Sequence, residues 1–349
     1  MKRMDKVSGS ESANIYDIAR MAGVSIATVS RVLNNSGKVS EKTRRKVEEI
    51  IREIDYTPNA FAQGLGLNTM HTIGILVPTI ADAYMSTAVS YVEGFLAREG
   101  YHCILSCSGF LYEEKKLQTE MLLSKHIDAL LLIGSTYAGR GEDPHETDYI
   151  REAAQKVPVF TINFNIEGEN IYCTVSDDRS AVYDMTMRMI AAGRKQILFL
   201  TDSKSYSARK KLRGYLDAVE RAQVPGGEDR IVYVKNDIAF VRDFLREADL
   251  PPFDAVVSTE DGIAIGAVKY AAAAGIRIPE DLFVAGYNNY PIALACEPEL
   301  TSIDNHMDQI CRHTADRILT CLKNGKGLKM PHKVVVPYSI IERKTTAFR

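Results

Sequence analysis

The sequence predicts two architectures in one chain: a small all-α head and a larger α/β body. Three short amphipathic helical patterns lie within the first 60 residues. Beyond Thr72, short β-rich apolar runs alternate with longer amphipathic ones, a rhythm typical of βαβ units around a parallel sheet. A chain of 349 residues is long enough for two or three domains, each with its own core. We therefore expect the head and the body to be separate domains.

Composition points to a globular protein and away from a membrane protein. The 46% apolar and 25% charged residues are ordinary values, and no apolar run reaches the roughly 20 residues of a membrane helix. Residues 1–13 are basic but lack a following apolar stretch, so we expect a disordered lead-in rather than a secretory signal. The six cysteines form neither a CxxC pair nor a zinc-like spacing. We expect reduced thiols in a cytoplasmic protein, with no metal and no cofactor.

Charge is distributed unevenly, although the formal net charge is only −2. Residues 1–66 hold 11 Lys/Arg against 8 Asp/Glu, whereas the remaining residues hold 32 against 37. A mildly basic head therefore precedes an acidic body. This asymmetry fits contact with nucleic acid at the head rather than over the whole surface.

Each head helix is predicted to begin at a side chain that can cap it. Asp17 stands three residues after the first cap and completes a capping-box arrangement. Gly23 then ends the first helix. The expected caps and helices are Asn14 with 15–21, Ser25 with 26–34 and Ser40 with 41–54.

The body is predicted to contain two doubly wound lobes, because its strand rhythm runs too long for one sheet of modest size. The chain would change lobes near 176–178, and a late strand at 301–304 with a helix at 306–323 would let it cross back. The remaining strands are expected near 73–77, 103–106, 129–133, 159–162, 196–200, 231–234, 255–257 and 282–285.

The second head helix has the chemistry that a DNA major groove admits. Its first residues, Ile26 and Ala27, allow close approach to base edges, and Arg31 one turn later can give paired hydrogen bonds to guanine. Polar side chains nearby suit phosphate contacts that fix the register on the duplex. These are Thr28, Ser30 and Asn34.

This segment closely resembles the DNA-binding head of the lactose repressor (LacI) family, whose hallmark is an AGVS turn followed by TVSRVLN. Those letters stand here at 22–25 and 28–34, and the likeness continues through VSEKTR at 39–44 and YTPN at 56–59. The resemblance implies binding to double-stranded operator DNA. It places Ile26, Ala27 and Arg31 at base-reading positions and Tyr16, Thr28, Ser30 and Asn34 at phosphate-facing ones.

The linker matches the family as well. Leu65 stands where family members insert a leucine into the minor groove. Gly64 before it departs from the pattern, and glycine costs about 1 kcal/mol relative to alanine inside a helix. We therefore expect a hinge helix that folds reluctantly.

The resemblance extends over the whole body and implies a periplasmic-binding-protein-like core with an effector cleft between its lobes. Ligands in such folds lie at strand carboxyl ends. The expected domains are a lead-in at 1–13, a helix-turn-helix domain at 14–60, a hinge helix and linker at 61–71, and a core at 72–349. The first lobe would hold about 72–175 and 304–333, and the second about 176–303 and 334–345.

Five residues are expected to bind the effector: Tyr84, Asn163, Lys211, Glu260 and Asn288. Asn163 and Asn288 replace aspartates that many sugar-binding members carry, and Lys211 replaces an arginine. Packing at the lobe interface is an equal alternative for Tyr84, and a Lys211–Glu260 ion pair is an alternative role for those two. The two amides predict a cleft kinder to anions, partly offset by Glu260. They also make it less suited to a polyol, so the residues leave the ligand class open; the resemblance to the family alone implies a sugar or sugar phosphate.

The main hypothesis is an effector-responsive repressor. We expect it to be a homodimer, because residues 342–349 lack the leucine heptads that make some relatives tetramers. Control by a partner protein is an alternative, since 210–215 resembles catabolite control proteins. A solute-binding protein is disfavoured by the head. An enzyme is not expected, because the sequence contains no nucleophile elbow, phosphate loop or paired-histidine metal motif.

Overall fold

The computed structural model describes residues 14–33, 37–54, 56, 69–139, 143–325 and 330–348. The expected lead-in at 1–13, the hinge at 61–68 with Leu65, and Asn34 lie outside the described residues. The chain divides into two compact units, one ending at His71 and one beginning at Thr72. Each unit is described by itself.

The first unit contains helices α1 (Ile15–Ala22), α2 (Ile26–Leu33) and α3 (Glu41–Glu53). The predicted capping box is present, since the Asn14 side chain accepts from the N–H of Asp17 and the Asp17 carboxylate accepts from the N–H of Asn14. Gly23 ends α1 with a φ of 64°, a left-handed conformation that glycine adopts without a Cβ penalty. The helices enclose a small core that includes Ile18, Val29, Val32, Val47 and Ile50.

The second unit is built on two six-stranded sheets. The first sheet contains β1 (Thr72–Val77), β2 (His102–Cys107), β3 (Ala129–Ile133), β4 (Val159–Ile162), β5 (Ile171–Ser176) and β11 (Lys333–Val336), in the order β11-β5-β4-β3-β1-β2. The second contains β6 (Ile197–Thr201), β7 (Ile231–Tyr233), β8 (Ala255–Ser258), β9 (Phe283–Tyr287), β10 (Thr301–Asp304) and β12 (Ser339–Ile341), in the order β12-β10-β9-β8-β6-β7. All described pairings are parallel except that of β10 with β12.

Helices connect the strands and cover both faces of each sheet. They are α4 (Ala83–Arg98), α5 (Tyr112–Leu123), α6 (Asp148–Ala154), α7 (Asp178–Ala191), α8 (Tyr206–Arg221), α9 (Ile238–Glu247), α10 (Asp261–Ala274), α11 (Pro291–Ala295) and α12 (Met307–Asn324). Ile75 and Leu76 are neighbours on β1 and are both fully buried, but they pack into different apolar clusters. Burial on both faces explains the near-continuous apolar strands of the sequence. None of the described helices combines the length and apolar character needed to cross a membrane.

The two-lobe α/β prediction is confirmed, and each predicted strand is present with its ends shifted by at most two residues. Three strands were not predicted: β5, β11 and β12. Because β11 pairs with β5, it belongs to the first sheet. The last crossing between lobes therefore follows Val336, and the boundary expected at 333 falls inside a strand.

Candidate DNA-reading and effector sites

Helix α2 separates a buried apolar side from an exposed side. Val29 and Val32 are buried in the core of the first unit, whereas Ile26, Ala27 and Arg31 are exposed. Helical spacing accounts for this division, because residues three or four apart share a face. The three predicted base-reading residues are therefore accessible to a partner.

Three of the four predicted phosphate-facing residues lie in the described part of the chain, in the first turn of α1 and along α2. Tyr16 is 66% exposed in the first turn of α1. The N–H of Thr28 donates to Ser25 Oγ at 3.2 Å, and the two hydroxyl oxygens lie 2.9 Å apart, so the Thr28 side chain is tied to the start of its helix. Ser30 is partly exposed.

In the second unit, the five predicted effector residues follow strands or lie on helices beside the strand ends. Tyr84 lies in the first turn of α4, after β1, and is only 6% exposed. Asn163 and Asn288 follow β4 and β9 with φ values of 72° and 93°, left-handed conformations that asparagine tolerates better than most residues. Lys211 is buried on α8, and Glu260 is the N-cap of α10.

Three of the five form one polar network. The Lys211 ammonium donates to the carbonyl of Thr259 at 2.9 Å and lies 3.8 Å from Glu260 Oε1. Asn288 Nδ2 donates to Glu260 Oε2 at 2.6 Å, and Asn305 Nδ2 donates to Asn288 Oδ1 at 2.9 Å. The ion-pair alternative for Lys211 and Glu260 is thus present in the structure. Asn163 makes no hydrogen bond to this network within the described residues.

A second buried cluster supports the lysine and was not predicted. The Lys211 ammonium lies 3.6 Å from the centre of the Tyr287 ring, a cation–π contact. The hydroxyls of Tyr287 and Ser207 each donate to Asp178 at 2.6 Å. Burial raises the pKa of Asp178, and Lys211 and the two hydroxyls oppose that rise. The cluster fixes Lys211 within the second lobe.

Several buried polar atoms around this network have no hydrogen-bond partner in the described structure: Tyr84 Oη, Thr259 Oγ1, Tyr290 Oη and Asn305 Oδ1. Their residues follow β1, β8, β9 and β10, respectively, so they come from both sheets. Buried polar groups are nearly always satisfied, and leaving one unpaired costs about 1–3 kcal/mol. A group of such atoms at strand carboxyl ends is the arrangement expected of a polar binding site.

Several carboxyl groups lie around Glu260, although the expectation from the two asparagines is a cleft kinder to anions; that expectation stays a prediction. Burial raises the pKa of Glu260 well above its ordinary range, Lys211 opposes this, and Asp202 and Asp82 add to it. The pKa of Asp202 is also raised by desolvation, with Lys211 again opposing. The two asparagines do remove charge, but carboxylates from other loops replace it.

A cavity of about 550 Å³ opens between the lobes, with Asp202 in its wall. Phe110, Lys115 and Thr136 line it from the first lobe, and Ser203 and Tyr233 line it from the second. Its volume lies within the roughly 300–1,000 Å³ of small-molecule sites. None of the five predicted effector residues lines this cavity. Asp202 connects it electrostatically to Lys211 and Glu260.

Sequence reasoning missed Asp178, Asp202, Tyr290 and Asn305. Each stands within a few residues of the carboxyl end of a strand, so the rule that ligands bind there could have identified them as candidates. The rule alone does not say which of the many polar residues at strand ends point inward.

A helix-turn-helix head and a two-lobed body of parallel sheets together define a transcriptional regulator built on a periplasmic-binding fold. The chain belongs to the lacI family of bacterial regulatory proteins, whose model matches residues 14–59. A model for the periplasmic binding protein-like domain matches residues 186–346. The members of this family are DNA-binding transcriptional regulators and not enzymes.

Relatives match over nearly the whole chain. An HTH-type transcriptional regulator of Lachnoclostridium phytofermentans is 42% identical over 96% of this chain and all of that protein. Catabolite control protein A of Staphylococcus xylosus is 32% identical over 96% of this chain and 99% of its own. The lac repressor dimer bound to operator and the anti-inducer ONPF is similar in structure, with a TM-score of 0.81, 25% identity and coverage of 96% and 99%.

Proposed function

We propose that the protein is an effector-responsive repressor, which reads operator DNA with α2 and binds a small polar molecule between the lobes of its body. The observation that carries the effector site is the group of orphaned buried atoms on Tyr84, Thr259, Tyr290 and Asn305. Such atoms gain hydrogen bonds when a polar ligand binds.

On the DNA side, Arg31 is the main polar reader. Its guanidinium can donate twice to the O6 and N7 of a guanine, whereas Ile26 and Ala27 can make only apolar contacts, for example with thymine methyl groups. Tyr16, Thr28, Ser30 and Asn34 contact phosphates, and Leu65 enters the minor groove. The exposure of Ile26, Ala27 and Arg31 supports this assignment.

On the effector side, Lys211, Glu260 and Asn288 form the polar floor of the site, Tyr84 faces them from the first lobe, and Asn163 completes the rim. Of the two expected ligand classes, the sugar is favoured over the sugar phosphate. A phosphate beside Glu260 would face that carboxyl and Asp202, and Lys211 there is already bound to other groups. Two further lysines line the cavity, but Lys115 donates to the Thr136 carbonyl and Lys204 lies over the Tyr233 ring. A ligand that binds one arrangement of the lobes better than another increases the fraction of protein in that arrangement, and this change alters the affinity for operator DNA.

The protein acts as a homodimer, so that two heads read two half-sites. Strand β2 is the edge of its sheet, and it exposes Ile104 and Leu105. Helix α5 follows β2 and exposes Leu117 and Met121. Exposed apolar side chains of this size in one part of a fold support an interface. The similar lac repressor structure is itself a dimer.

Selection of bound duplexes from a random DNA pool tests the DNA-reading proposal. Arg31→Ala is expected to lose about 1–3 kcal/mol of discrimination at one position of each half-site, because it removes a bidentate contact. Arg52→Ala is the matched control, since it removes one exposed positive charge from α3. Full sequence preference in Arg31→Ala, or none in the wild type, would contradict the proposal.

Control by a partner protein is a second candidate, favoured by the mutual hydrogen bonding of Glu260, Asn288 and Asn305 and by the similarity to catabolite control protein A. Thermal-shift screening of sugars, phosphosugars, nucleobases and carboxylates separates the two. A stabilising ligand that also changes operator affinity supports the effector model. If no compound in the panel changes the melting temperature and the protein binds operator with full affinity, the partner model is favoured.

A further inference from the structure

We propose that the effector carries a protonated amine on a hydroxylated frame, as in an amino sugar, and that Glu260 and Asp202 hold the ammonium group. This inference rests on the proposed effector site. It names a ligand class that the site residues in the sequence did not indicate, because the two asparagines there suggested a cleft suited to anions.

The first ground is an excess of negative charge. Asp82, Asp202 and Glu260 lie close enough to one another that Asp82 and Asp202 each hinder the ionisation of Glu260. Lys211 is the cation that opposes this effect at both Asp202 and Glu260. Around Glu260, three carboxyl groups therefore act on one lysine in a desolvated space, where a second cation would be favoured. The wall of the cavity is more balanced, because it also holds Lys115, Lys204 and Glu146.

The second ground is that Lys211 is already engaged. Its ammonium donates to the Thr259 carbonyl, lies over the Tyr287 ring and opposes the rise in the pKa of Asp178. Glu260 Oε1 is 3.8 Å from Lys211 Nζ, beyond hydrogen-bond distance. Glu260 Oε2 accepts from Asn288, so a further donor would bind at Oε1.

Two unpartnered phenols provide an independent observation. Tyr84 is 6% exposed, its Oη has no partner in the described structure, and the carboxylates that act on it include Asp178, Glu260 and Asp82. The Tyr290 hydroxyl is also unpartnered and is influenced by Glu260 and by Tyr84. A phenol can both donate and accept. Hydroxyls of a ligand beside the ammonium would satisfy both phenols.

The cavity with Asp202 in its wall can accommodate the rest of such a ligand. Phe110 and Tyr233 line it from opposite lobes, with Lys204 over the Tyr233 ring, while Thr136, Ser203 and Ser205 offer hydroxyls. The Thr136 hydroxyl is another buried oxygen without a partner in the described structure. This mixture of ring faces and hydroxyls suits a sugar ring better than a purely apolar molecule.

Proton release gives the inference a specific signature. Burial and the neighbouring carboxylates raise the pKa of Glu260 and Lys211 opposes this rise, so the free site retains a proton there to a higher pH than an ordinary glutamate does. An arriving ammonium favours the ionised form and expels that proton. Affinity for the amine should therefore weaken as the pH is lowered, and the binding enthalpy should depend on the ionisation enthalpy of the buffer.

The experiment is calorimetric titration of the full-length protein with matched sugars: glucosamine, glucose, N-acetylglucosamine and glucose 6-phosphate, with the corresponding galactose and mannose sets. For at least one of the three sugars (glucose, galactose or mannose), we expect the free amine to bind ten or more times more tightly than its hydroxyl and acetylated counterparts. Glu260→Gln should abolish this preference, whereas Glu152→Gln, on the exposed surface of α6, should retain it. If Glu260→Gln does not fold, proton release by the wild type in two buffers provides the readout.

Tighter binding of a neutral or phosphorylated sugar would overturn the amine assignment and leave effector sensing intact. Equal preference in wild type and Glu260→Gln, without proton release, would also overturn it. If no sugar in these sets binds, the amine inference fails as stated. If no compound in the wider thermal-shift panel changes the melting temperature either, the effector site itself is refuted.

Discussion

Replacing Gly214 by alanine should destabilise the second lobe, although alanine is the better helix former. Gly214 lies within α8, where this helix crosses α7. A Cβ built at this position would lie 2.1 Å from the carbonyl oxygen of Arg179 and 3.0 Å from the backbone nitrogen of Tyr183. Non-bonded heavy atoms normally approach to about 3.5–4.0 Å. The two helix backbones must therefore separate by more than about 1 Å.

The expected magnitude follows from two opposing terms. Alanine gains about 1 kcal/mol over glycine in a helix interior. Overpacking typically costs about 1–3 kcal/mol, and a backbone neighbour places this case at or above the upper end, because backbone cannot rotate away. The net loss in the free energy of unfolding is about 2 kcal/mol or more. At roughly 2 °C per kcal/mol for a domain of this size, Tm should fall by about 4 °C or more.

Thermal denaturation of the full chain measures this change, with Gly94→Ala as the matched control. Gly94 lies inside α4, and a Cβ there meets nothing within 4 Å. That variant should be neutral or up to about 1 kcal/mol more stable. Because Lys211 precedes Gly214 by one turn of α8, Gly214→Ala should also weaken the response to effector. A Tm at or above that of the wild type would refute the steric argument.

Three further outcomes are expected. Asn14→Ala removes the capping box of α1 and should cost the head about 1 kcal/mol, measured by urea denaturation monitored by circular dichroism. Burial raises the pKa of Asp261 to about 7. Because the unfolded carboxyl loses its proton near pH 4, the free energy of unfolding should fall as pH rises from about 4 to 7. If Asp261→Asn shows the same dependence of stability on pH as the wild type, this expectation is contradicted. Arg317 donates to the carbonyls of Cys173 and His332. Arg317→Leu leaves these buried carbonyls unpaired and should lower the unfolding midpoint in denaturant by an amount equivalent to about 3 kcal/mol. Arg317→Lys should restore only part of the lost stability.

The local features of the head were predictable because they depend on neighbouring residues. Asn14, Gly23 and Ser40 act within one turn of their helices, so the sequence contains all the information needed for caps and helix ends. The same applies to the exposed side of α2, which follows from helical spacing alone.

The missed strands depend on pairing with distant segments. Strand β11 has four residues and β12 has three, and each is defined by its partner, β5 for one and β10 for the other. Strand β5, with the sequence IYCTVS, follows β4 closely and mixes apolar and polar residues. Runs this short carry little periodic signal.

Part of the candidate effector site was predictable from the sequence, and part of its charged lining was not. The resemblance identified Lys211, Glu260 and Asn288, which do lie together. It did not identify Asp202 or the unpartnered Tyr290, because the direction of a side chain after a strand depends on the packing of both lobes. Net charge in a cleft is a sum over several loops and cannot be read from two positions.

The placement of β11 and β12 affects how the chain can mature during synthesis. Only Pro337 and Tyr338 separate these strands, yet one completes the first sheet and the other the second. Neither lobe can therefore acquire its full set of strands until residues 333–341 have been synthesised. The two lobes should consequently receive these strands almost together during synthesis, and a nascent chain arrested before Lys333 would expose an unpaired edge of β5 to aggregation or to chaperones.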